Sequence, residues 1–123
     1  MSQTPVHLRP CRGDIWLVEF GAARDGEIGK TRPAVVVSID GLQAGRPFDR
    51  ITVVPLTTNS RQRPNVLQPA LPAGYGLEHP SVVLCDAPRA FVPSRFARRL
   101  GRVPADVFDQ IIQARCIIEG WDD

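Results

Sequence analysis

Little in this chain suits metal or covalent chemistry. It has only two histidines, His7 near its start and His79 just before Pro80. The three cysteines, Cys11, Cys85 and Cys116, are far apart and form no Cys-x-x-Cys pair or metal-ligand spacing. An odd, scattered set excludes a disulfide framework and reads as reduced and structural. Neither a metal nor a cofactor is expected. No apolar run approaches the roughly 18 residues of a membrane span. Residues 1–10 are polar and lack the apolar stretch of a signal peptide. The expectation is a cytoplasmic chain with no membrane partner. Internal repeats, low-complexity tracts and domain linkers are missing too.

At 123 residues the length fits one domain with a modest core. We expect a tail over residues 1–11 and a single domain over 12–123. Small folds of this size often gain stability by dimerising. Lysine is nearly absent: Lys30 stands alone among 15 basic residues, the rest being arginine. The net charge of +2 excludes a basic nucleic-acid coat. Arginine nevertheless clusters, at Arg61 and Arg63 and again at Arg89, Arg95, Arg98, Arg99 and Arg102. Planar guanidinium groups suit bidentate phosphate contact and base stacking.

Apolar, β-branched runs predict strands over 15–20, 34–39, 51–56, 65–70 and 81–85, with a short return strand over 89–92. Glycine- and proline-bearing segments separate them, and Leu71 to Gly76 is a clear breaker. Short strands at this spacing point to a small twisted antiparallel barrel. One helix comes last. Pro104 suits its first turn and Gly120 its stop. Val107, Ile111 and Ile118 are expected to face the barrel, with Phe108, Ile112 and Arg115 on the adjoining stripe.

Polar groups gather at strand ends. Arg32 precedes Pro33 and the buried-looking run from Ala34 to Val37. Proline fixes its own φ and biases Arg32 toward extended backbone, which holds the guanidinium on a rigid mount. Thr57, Thr58 and Asn59 close the third strand; Asp86 closes a later one, with Arg89 after it. The start of one antiparallel strand and the end of its neighbour share a rim, so Arg32 and Thr57 are expected side by side. A nucleophile is wanting among the side chains, and RNA carries its own in the 2′-hydroxyl. Arg32 and Thr57 would stabilise charge growing on the phosphate oxygens. Arginine stays protonated and is a poor base. Glu27, in the loop over the site, is the preferred base; Asp86 is the other candidate, or a group that positions a base or holds Arg89.

Four stretches in order resemble the MazF/PemK family of toxin–antitoxin ribonucleases. They are Arg12-Gly13-Asp14-Ile15-Trp16-Leu17-Val18, Gly29 to Val37, Val53 to Asn59 and Ser81 to Arg89. The resemblance implies an SH3-like barrel of the MazF/PemK/CcdB type with a C-terminal helix, forming a homodimer. It implies metal-independent cleavage of single-stranded RNA, chiefly mRNA, leaving a 2′,3′-cyclic phosphate and a 5′-hydroxyl. A MazE-like antitoxin would silence it. Arg32, Thr57 and Glu27 fall on the family's catalytic positions. Lys30, Thr58, Asn59, Arg61, Asp86 and Arg89 are the expected RNA contacts. Where some members carry a histidine and an arginine, this chain has Gly26 and Leu84. A non-catalytic barrel, such as a DNA gyrase poison or an RNA-binding module, is the alternative the fold alone allows.

Overall fold

The computed structural model describes residues 9–21, 30–40, 50–59 and 61–121. Among these, the elements run β1 (Asp14–Glu19), β2 (Thr31–Val36), β3 (Ile51–Thr57), β4 (Ala70–Leu71), β5 (Ser81–Val83), β6 (Arg89–Phe91), β7 (Phe96–Arg102) and α1 (Ala105–Ile118). All strand pairs are antiparallel, in the order β4-β5-β3-β2-β1-β7, with β6 also on β3. The central strand β3 has β2 along one edge. Its other edge changes partner midway, from β6 (Ile51↔Phe91, Val53↔Arg89) to β5 (Leu56↔Val83, Thr57↔Val82).

Alternation sends successive residues to opposite faces of this sheet. Ile15, Val35, Val54, Leu56 and Val83 pack on one face with Val107, Ile111 and Ala114 of α1. Trp16, Val18, Ala34, Val36 and Val53 pack on the other. The sheet curls over that second face: Phe20 and Phe91 meet edge-on at 5.0 Å although their strands are not neighbours. Each fully buried aliphatic side chain here contributes about 1.5–3 kcal/mol. The half-barrel with a C-terminal helix is the expected architecture.

Several boundaries differ from the sequence reading. β2 starts at Thr31, so Arg32 and Pro33 lie inside the strand, paired with Val18 and Leu17 of β1. The strand expected over 65–70 shrinks to β4. Asn65 accepts the Leu67 N–H at 2.9 Å and exchanges backbone bonds with Gln68, which makes a tight turn instead. Ile118 is 36% exposed; Ala114 takes the buried position one turn earlier. β7 was not anticipated. Its sequence FARRLGR lacks clean alternation, and its ladder with β1 carries two register shifts. Gly76 and Gly101 let the segment near Tyr75 press against β7: a Cβ on Gly101 would lie 2.0 Å from the Tyr75 carbonyl oxygen.

Asp14 ties β7 to the body of the sheet. Its side chain is buried, yet it accepts from the Cys11 N–H at 2.9 Å and from Trp16 Nε1 at 3.1 Å. Arg102 and Arg99 reach it at 3.2 and 3.3 Å. Truncating a buried carboxylate orphans every donor around it. Asp14→Ala is therefore expected to lower the free energy of unfolding by about 3 kcal/mol in urea titration. Arg102→Ala, with 58% of its side chain exposed, is expected to cost no more than about 1 kcal/mol. Equal losses would show that Asp14 is no clasp.

Cys85 lies in the core beside α1, where Arg115 donates to its carbonyl at 2.7 Å. Burial pushes its thiol from 9.0 up to about 12, and the nearby Arg115 offsets only part of this. The folded form therefore keeps a proton that the unfolded chain loses first. Stability contributed by Cys85 is complete below about pH 9 and falls as pH rises toward 12. Cys85→Val is expected to flatten this alkaline loss in melting curves; an unchanged slope would assign it to other groups.

Candidate active site

The β2–β3 ladder runs Val36↔Val53, Val35↔Val54 and Ala34↔Pro55. The ladder ends at Ala34↔Pro55; continued by two residues, the same register would set Arg32 opposite Thr57. Both belong to the face that carries Ala34 and Val36. Directly opposed residues have Cβ atoms about 5 Å apart. Pro33 and Pro55 have no N–H to donate to a ladder; Pro55 is nevertheless buried and Pro33 half-buried. Arg32 is exposed and Thr57 half-buried. Val18 of β1 pairs with Arg32 on its other side and keeps its backbone extended.

Thr57 is oriented by its own turn. Its Oγ1 accepts the Asn59 N–H at 3.1 Å, which leaves the hydroxyl proton to be donated outward. Asn59 in turn accepts the Arg61 N–H through Oδ1 at 3.0 Å and the Gln62 N–H through its carbonyl at 2.9 Å. Thr58, Asn59 and Arg61 are exposed around it. Lys30 stands two residues before Arg32 in a left-handed conformation with φ of 64°. Its backbone bonds with Phe20 and Gly21 close the neck of the segment between β1 and β2. Strained backbone of this kind gathers at functional sites. Glu27 lies outside the described residues.

Asp86 and Arg89 follow β5, which pairs with the edge of β3 away from β2. The turn 84–88 carries the chain from Val83, opposite Leu56, to Arg89, opposite Val53. It thus follows the edge of β3 away from Arg32. Asp86 does not hold Arg89; it accepts from Gln68 Nε2 at 2.9 Å. Arg89 instead stacks over the rings of Phe91 and Phe20, at 5.0 and 5.8 Å. The rim therefore joins Arg32 to Thr57 and its turn, while Asp86 belongs to a different polar group.

That group was missed from sequence. Gln68 accepts from Gln62 Nε2 and from Asn65 Nδ2, the latter at 3.0 Å. A signal was there: Asn59, Gln62, Asn65 and Gln68 repeat every third residue. The amides lead to an open cleft of about 340 Å³ that begins at Thr57 and is lined by Asn59, Gln62, Pro64, Pro72, Pro80 and Val82 among others. In all, the arrangement offers a cation and a hydroxyl to a phosphate, next to an uncharged recess.

Comparison with known proteins shows the family. Residues 11–118 match the family model described as PemK-like, MazF-like toxin of type II toxin-antitoxin system. Endoribonuclease MazF9 of Mycobacterium tuberculosis is 37% identical over 110 residues, covering 84% of this chain and 90% of that protein. The crystal structure of MazF from Deinococcus radiodurans superposes with a TM-score of 0.76 at 27% identity, covering 91% of this chain and 97% of that one. A MazE–MazF structure from the same organism has a TM-score of 0.69 at 26% identity, with 91% and 96% coverage.

Proposed function

The chain belongs to the PemK-like, MazF-like toxins of type II toxin–antitoxin systems, and from that membership we propose that it is an endoribonuclease cutting single-stranded RNA at the Arg32–Thr57 rim. The observation that supports the reading is the β2–β3 register, which, extended by two residues past Ala34↔Pro55, would oppose those two side chains. In the proposed step the 2′-oxygen attacks the adjacent phosphorus and the bond to the 5′-oxygen breaks. The products are a 2′,3′-cyclic phosphate and a 5′-hydroxyl. Negative charge builds on the non-bridging oxygens, where a guanidinium and a hydroxyl can meet it without reorganising. The 2′-proton passes to a base and a proton returns to the 5′-oxygen. Glu27 enters as that base on the sequence alone. Lys30, Thr58, Asn59 and Arg61 surround the rim as strand contacts.

The reading is metal-independent, so the purified protein is expected to cut RNA in excess EDTA. Arg32→Ala and Thr57→Val should each slow cleavage by about 10²–10³ while melting like the wild type. Folded variants that cut at the wild-type rate would remove the two residues from the mechanism. Folded wild type that never cuts would favour a non-catalytic barrel.

The MazE–MazF neighbour directs attention to an antitoxin partner. An acidic, extended partner lying over the cations at the rim would displace RNA and fold as it binds. Its affinity is expected to fall as salt rises, read by calorimetry between low and physiological ionic strength. Affinity indifferent to salt would exclude a charge-led contact. The homodimer is part of the same proposal. Ile117, Ile118 and Trp121 leave apolar surface at the end of α1, Trp121 being 78% exposed, which a second copy could cover.

A further inference from the structure

We propose that the cleft beside Thr57 seats one base of the RNA, and that Asp86 governs which base is accepted by fixing Gln62 through Gln68. The inference rests on the reading that the scissile phosphate sits at the Arg32–Thr57 rim.

The cleft continues the rim along the sheet. Thr57 opposes Val82, and Val82 opposes Ala70, so these side chains extend the row that begins at Arg32. With strands about 4.8 Å apart, the floor reaches about 10 Å from Thr57. That is the reach of a nucleotide whose phosphate is held at the rim. Charge separates the two parts. Among the described residues the cleft lining carries no charged side chain, whereas Arg32 is an exposed cation on β2, the strand that pairs with β3. A phosphate belongs with the cation, and an uncharged recess suits a base. Its volume of about 340 Å³ falls within the usual range of small-molecule pockets. Pro64, Pro72 and Pro80 supply apolar walls, and Asn59 and Gln62 supply the amides that can read a base edge.

The orientation of Gln62 follows from Asp86. An ionised carboxylate only accepts, so it must face the Nε2 of Gln68. This turns Gln68 Oε1 toward Gln62, which must then donate through its own Nε2. Gln62 Oε1 is left as an acceptor. Asn59 has the opposite assignment: its Oδ1 is taken by the Arg61 N–H, leaving Nδ2 as a donor. The cleft thus presents one acceptor and one donor in a fixed order, and a base is selected by the order on its own edge. Arg115 supports the relay from beneath by holding the Cys85 carbonyl at the start of the turn that bears Asp86. Asp86 is in this account a positioning residue.

The test uses RNA oligonucleotides blocked by a 2′-O-methyl group at the scissile nucleotide, with each neighbouring base varied in turn, and reads binding by fluorescence anisotropy. Wild type is expected to prefer one base at one position by about tenfold. Gln62→Ala should abolish that preference. Asp86→Asn should abolish it too, since an asparagine can donate as well as accept and leaves both orientations of Gln68 open. Asp86→Glu, acceptor-only like the native group, should retain more of the preference although asparagine is closer in shape. Melting temperatures establish that each variant is folded. The proposal is overturned if wild type binds with no base preference, if Gln62→Ala keeps it, or if Asp86→Asn keeps it while slowing cleavage of every sequence alike. Base preference lost in these variants, in a protein that never cuts unmodified RNA, would uphold the cleft and refute the ribonuclease reading.

Discussion

The register between β2 and β3 is the constraint on which the rest depends. A slip of one residue would move every side chain of a strand to the other face. Two cores forbid it here. Val54 and Leu56 must meet α1, while Ile51 and Val53 must stay with Trp16 and Val36 beneath the curled face. Hydrophobic burial on both sides of β3 thus fixes where its last residue, Thr57, stands relative to Arg32. The placement of these polar side chains is thus set by apolar contacts on both faces of the sheet.

β3 also divides the polar residues into two groups. On its β2 edge lie the guanidinium and hydroxyl suited to a phosphate. Along its other edge the chain changes from β5 to β6 through the turn 84–88, where Leu84 N–H bonds the Pro55 carbonyl at 2.8 Å. Pro55 suits this place because its missing N–H is not needed where the ladder with β2 ends. The turn sets Asp86 among amides rather than arginines. A carboxylate there imposes direction on a neutral hydrogen-bond chain, since it can only accept. The same residue beside Arg32 would have been suited to proton transfer.

The cationic run near the C-terminus acts partly within the fold. Arg99 and Arg102 serve the buried Asp14, and Arg115 is bonded to Cys85 and Glu119. Arg89 is stacked on aromatic rings. Arginine can do this because its planar, weakly hydrated head tolerates partial burial and its stem packs as an apolar group. Counting cations would therefore overstate the charge offered to a nucleic acid. Lys30, Arg32 and Arg61 are exposed.

Local pattern determined much of this protein. The apolar runs of β1, β2 and β3, the three-to-four spacing of α1 and the four ordered stretches shared with a toxin family could all be read residue by residue. Arg32 and Thr57 were legible as residues of adjoining antiparallel strands, β2 and β3. Other features depended on contacts distant in sequence. β7 is hidden in FARRLGR because its pairing partner, β1, lies about 80 residues away and its bulges erase the alternation. Asp14 reads as an ordinary turn former until four donors converge on it in space. Asp86 could equally have faced an arginine or a substrate. Only the path of the turn between β5 and β6 gave it Gln68, because a side chain's partner is chosen by the backbone that carries it, and that backbone is placed by the whole core.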